Sequence, residues 1–96
     1  MAEKRLEKLR DQLMAYFGAQ EEDEAVAELR ADVQSYAETA RILREGIAEA
    51  LADADCDCVE LVEGCANRNV RGSQAKARAW LRDLQAKLFA PHPSDG

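Results

Sequence analysis

The chain is expected to fold as an all-α, single-domain bundle of four to five short helices, on three observations. Alanine, leucine, glutamate and arginine dominate the sequence, and all four are strong helix formers. The β-branched residues are sparse and never cluster in alternating runs, so no strand is read. Apolar residues instead recur at spacings of three and four in separate stretches, the signature of amphipathic helices. Ninety-six residues make one domain, large enough for one modest core without disulfide or metal staples. The bundle is assigned to residues 1–90, and 91–96 to a disordered tail without apolar content.

The first helix is placed at 3–17, with Leu6, Leu9, Leu13 and Phe17 on one face and Tyr16 at its edge. Gly18 ends it as a C-cap residue. An acidic turn, Gln20 to Glu24, leads into a second helix at 23–34, whose face is Val26, Leu29 and Val33. Ser35 and Glu38 are spaced as a capping box, which divides it from a third helix at 36–53. A single helix over 23–53 fits the periodicity nearly as well. The third stripe is Tyr36, Ala40, Leu43, Ile47 and Leu51, and Gly46 inside it is explained by a close helix crossing. A short fourth helix at 58–63 opens on the Asp57/Glu60 capping box and stops at Gly64. After a basic loop at 67–72, Ser73 caps a last helix running to about residue 89, and Pro91 stops it. Ala77, Trp80, Leu81, Leu84 and Leu88 form its inner face.

Charge is unevenly distributed. Residues 18–64 carry 14 acids against three bases, Arg30, Arg41 and Arg44, while both ends of the chain are net basic and the whole is −6. An acidic face repels nucleic acid and steers basic proteins toward itself. The best candidate surface is Glu21, Glu22, Asp23, Glu24, Glu28 and Asp32, within which Glu21, Glu24, Glu28 and Asp32 share one side of the second helix. Solubility is the other use of such a surface.

Other chemistries find little support in the sequence. The single histidine, His92, lies in the tail, and there is no Gly-rich phosphate loop or serine elbow, so no enzyme is expected. Cys56, Cys58 and Cys65 are one ligand short of a usual zinc site and read as small packing hydrophobes, so no metal or cofactor is expected. Their odd number fits a reducing compartment. Arg68, Arg71, Lys76, Arg78 and Arg82 lie close to the helix start at Ser73, where a phosphate could sit, but the net charge is wrong for nucleic acid. No apolar run approaches the ~20 residues that cross a bilayer, and no apolar signal core opens the chain, so a cytoplasmic protein is expected. Monomer and homodimer both remain open, and a non-enzymatic helical scaffold or homo-oligomer is the alternative to a binding protein.

The order of features resembles the small immunity proteins of bacterial contact-dependent growth inhibition systems. The residues that carry the likeness run from about 6 to 88. Leu9 and Leu13 lead to the pair Tyr16-Phe17, and Leu43-Arg44 with Ile47 and Leu51 marks the central helix. Leu61-Val62-Glu63-Gly64-Cys65 is the apolar turn, and Arg78-Ala79-Trp80-Leu81 opens the last helix. The chain departs from the family after Tyr-Phe, with Gly18-Ala19-Gln20-Glu21 in place of His-Gln-Asp-Trp. It departs again after Gly-Cys, with Ala66-Asn67-Arg68-Asn69 where aromatics and a proline are common. The resemblance implies a cytoplasmic antitoxin that binds a cognate toxin domain, commonly a basic nuclease, and occludes its working surface. On that reading the six acids above form the binding face, and the exposed edges of Tyr16 and Tyr36 serve as anchors.

Overall fold

A computed structural model describes residues 2–89. The expected stop at Pro91, the tail 91–96 and His92 lie outside the described residues. Four α-helices form, α1 (Ala2–Phe17), α2 (Glu22–Ser35), α3 (Ala37–Ala52) and α4 (Gln74–Phe89), with a π-helical turn at Glu60–Cys65 between the last two. No strand occurs among the described residues, as the composition predicts.

The core begins with the α1 stripe. Leu9, Leu13 and Phe17 are buried, and they meet Leu43 and Ile47 of α3. These two helices approach closely at Gly46, where a Cβ would stand 3.0 Å from the Cβ of Leu9. The glycine in mid-helix is therefore a packing requirement, as the sequence predicts. Leu81, Leu84 and Leu88 of α4 close the core from the other side. The ring of Phe17 meets Trp80 edge-on, with centroids 5.3 Å apart, and ties the end of α1 to α4.

The second and third helices are separate. The joint is the single residue Tyr36, extended at φ −127° and ψ 110°. Its N–H donates to the Asp32 carbonyl at 2.7 Å and its carbonyl accepts from Ala40 N–H at 3.1 Å, so one residue serves both helices. The expected Ser35/Glu38 capping box does not form. Ser35 is the last residue of α2, Tyr36 takes the cap position, and Glu38 pairs with Arg41 at 2.9 Å. Tyr36 accordingly leaves the inner stripe of α3 and is 60% exposed, while Gly46 and Ala50 join Ala40, Leu43 and Ile47 inside. On α2 the face shifts by one residue, with Ala25 and Leu29 buried and Val26 and Val33 at the edge.

The short fourth helix is wider than expected. Asp57 does cap its start, its Oδ1 accepting from Glu60 N–H at 3.0 Å. The turn then runs as π-helix, marked by the i→i+5 bond from Ala66 N–H to the Leu61 carbonyl. This winding buries Leu61, Val62, Cys65 and Ala66 together. Gly64 lies inside the turn and does not end it. The terminating residue is Asn67, in the left-handed region at φ 58°, a conformation asparagine tolerates better than most residues. Arg71 and Gly72 follow with φ 54° and 69°, and Ser73 N–H closes the turn on the Val70 carbonyl at 3.0 Å. Two consecutive positive φ values make this a type I′ turn, the geometry that calls for Gly72. Ser73 Oγ caps α4 through Lys76 N–H at 3.2 Å, as expected.

Candidate partner-binding face

The acidic residues of α2 divide between two flanks. Glu24, Glu28 and Asp32 recur every four residues along the side next to the end of α1, with Glu21 in line at the N-cap. Glu21, Glu24 and Glu28 are exposed, and Asp32 is half-buried. Tyr16 of α1 lies against this row, its hydroxyl donating to the Asp32 carboxylate. Burial, first, and then the Asp32 hydrogen bond and the Asp32 and Glu28 charges push the Tyr16 phenol up to about 12. Tyr36, last among these causes, adds to the effect. Gln20 closes the other end, its amide donating to Glu28 at 2.5 Å. The structure thus brings together Tyr16, Glu24, Glu28 and Asp32 on one face, with Glu21 at its tip, and Tyr36 stands exposed in the joint that follows α2.

Glu22 and Asp23 belong to the opposite flank, toward α4. Glu22 Oε1 lies 2.8 Å from Arg68 Nε and at the long limit of 3.5 Å from the Trp80 indole nitrogen, and Lys87 Nζ stands 3.9 Å from Oε2. Lys87 is raised by its bond to Asp83 first, and by the charges of Glu22 and Asp23. Glu22 is therefore an internal fastener between α2, α4 and the segment after the π-turn. Sequence spacing alone counted it with the surface acids.

The basic cluster of the sequence disperses in space. Arg78 forks onto the Leu51 and Asp53 carbonyls at 2.8 and 2.7 Å, satisfying the end of α3, which has no base of its own in its last turn. Arg68 is held by Glu22. Lys76 and Arg82 fall on different flanks of α4, six residues apart. Even one acid of the middle segment serves this loop, since Glu63 Oε2 accepts from Val70 and Gly72 N–H at 3.0 Å each.

The cysteines are buried thiols. Burial, and then the neighbouring Cys58, raises Cys56 to about 11, and burial with Glu60 raises Cys65, so neither is a ready nucleophile. Among the described residues no group of three or more histidines, cysteines and carboxylates is placed to hold a metal.

The sequence places Gln20 at the start of the acidic turn, Arg68 in the basic loop and Trp80 on the inner face of the last helix, but nothing in it joins Gln20 to Glu28 or residue 22 to residues 68 and 80. Fold and face together define a small all-α domain with one acidic, tyrosine-edged flank. No family model matches the chain, and neither a curated protein nor a solved structure does. Among the described residues no helix is long and apolar enough to cross a membrane.

Proposed function

We propose that this chain is a cytoplasmic immunity protein that neutralises a toxin domain, through the α2 flank, by covering a basic active or substrate-binding surface. The observation that carries the reading is the row Glu24, Glu28 and Asp32 with Tyr16 and Tyr36 at its border. It combines acidic charge with an aromatic ring that the fold leaves 60% exposed. Charge of one sign on a flank speeds and orients encounter with a basic protein, and an exposed tyrosine supplies contact area with few torsions to immobilise. A nuclease presents such a basic surface to its substrate. The sequence resemblance to contact-dependent growth inhibition immunity proteins supports the same class.

The test is calorimetry between the chain and the toxin domain encoded immediately upstream in its source genome, at low and high salt. Nanomolar 1:1 binding that weakens with salt is expected. Glu24→Lys with Glu28→Lys should weaken it more than tenfold, about 1.4 kcal/mol or more. Unchanged affinity would remove the α2 flank from the interface. If the toxin domain does not bind, a homo-oligomeric scaffold becomes the better account, and sedimentation decides it.

A further inference from the structure

Two thiols and a cation meet beyond the end of α3, away from the α2 flank. The chain turns tightly there, with Cys58 N–H donating to the Cys56 carbonyl at 3.0 Å. One side chain of α4, Gln74, clamps this turn. Its amide donates to the Cys56 carbonyl at 2.6 Å, and its oxygen accepts from Cys58 and Val59 N–H at 3.1 and 3.4 Å. Asp57, between the two cysteines, is exposed, whereas Cys56 and Cys58 are 8% and 0% exposed. Both free thiols therefore lie on the inner side of the turn, and the Cys58 side chain hydrogen-bonds the Cys56 thiol.

The backbone oxygens at the end of α3 fix what surrounds the pair. The Cys58 thiol donates to the Ala50 carbonyl at 3.8 Å, and Arg78 holds the next one, Leu51. The Asp53 carbonyl accepts from Cys56 N–H at 3.1 Å and from the Arg78 guanidinium at 2.7 Å, so one oxygen tethers both the cysteine and the cation. Cys65 is not part of this group, its thiol facing Glu60 at 4.0 Å. We propose that Cys56 and Cys58 form a two-thiolate site for a soft monovalent cation of the copper(I) and silver(I) class, with Arg78 beside it. The site is independent of the toxin-binding reading. Binding replaces two S–H bonds with two metal–sulfur bonds and releases two protons to solvent. The product carries one negative charge, which the guanidinium offsets where water is largely shut out. Thiolates select soft ions, and closed-shell monovalent ones accept two sulfurs in line. Zinc, which usually takes four ligands, is not served by two.

The test titrates the full chain, reduced and anaerobic, with copper(I) supplied as its acetonitrile complex, in competition with the coloured copper(I) chelator bathocuproine disulfonate. The native chain should withdraw one equivalent from the chelator and release two protons per ion in weak buffer. Excess zinc(II) should not displace the copper. Cys65→Ser should behave as the native chain, whereas Cys56→Ala and Cys58→Ala should each abolish the withdrawal. Arg78→Gln should hold the ion about tenfold less tightly. Unchanged affinity in that variant would overturn the role given to the guanidinium. A native chain that takes no copper from the chelator, or uptake that survives both alanine variants, would overturn the site itself. Should either alanine variant fail to fold by circular dichroism, the native chain decides the matter by NMR. On addition of silver(I) the Cβ resonances of Cys56 and Cys58 should move and that of Cys65 should stay. Movement at Cys65 alone would sink the proposal.

Discussion

Single side chains hold together segments far apart in the chain. Glu22 joins α2 to Arg68, Lys87 and Trp80. It is only partly shielded, so each ion pair is modest, and Glu22→Ala is expected to cost about 1 kcal/mol in urea unfolding. Trp80 emission should shift with it, because the indole nitrogen loses its carboxylate neighbour. An unshifted spectrum would mean that the indole contact is incidental. Tyr16 makes a pH-dependent contribution. Its folded pKa of about 12 lies above the ordinary value of 10. The stabilisation is fully present below pH 10 and lost as pH rises from about 10 through 12. Comparing urea midpoints of the native chain and Tyr16→Phe between pH 8 and 12 isolates this loss. The native chain should fall more steeply, and parallel curves would show that the Asp32 bond contributes nothing.

At the scale of elements, the crossing of α1 and α3 is set by one missing Cβ. Alanine at position 46 would gain about 1 kcal/mol of helix propensity. It would also press on the Leu9 Cβ at 3.0 Å, an atom that no rotamer change moves. Overpacking of this kind costs about 1–3 kcal/mol, so Gly46→Ala should lower Tm and Gly46→Val should lower it further. A higher Tm for Gly46→Ala would show that the crossing has slack. The end of α3 depends on α4 in a similar way. Arg78→Ala leaves the Leu51 and Asp53 carbonyls without their charged donor and should cost about 1–3 kcal/mol by chemical denaturation. Arg78→Lys should recover little, because an ammonium cannot span both carbonyls. Full recovery would argue that charge at the helix end matters more than the fork.

At the scale of the molecule, the helical stripes were legible because burial follows local spacing. Leu9, Leu13, Phe17, Leu43, Ile47, Leu81, Leu84 and Leu88 were all readable as inward residues from their three- and four-residue recurrence, and all are buried. The caps at Asp57 and Ser73 were legible for the same reason, since their bonds span three residues. Three local readings failed where neighbouring geometry overrode a motif. The chain bends at Tyr36 and forms no Ser35 box, the turn after Asp57 widens to π, and Asn67 ends it in place of Gly64. Of the candidate face, the row of carboxylates could be read from the sequence. Which acids remain outward could not, because Glu22 and Glu63 are claimed by groups 46 and seven to nine residues away, at Arg68 and at Val70 and Gly72.

The sequence by itself determined an all-α chain, its apolar stripes, its acidic middle and the two caps, all properties of residues within a few positions of one another. Tertiary structure alone decided which charges are spent on the fold, where Tyr36 is exposed, and that Arg78 is tethered beside Cys56. Those outcomes depend on contacts between residues distant in the chain, and no local spacing encodes them.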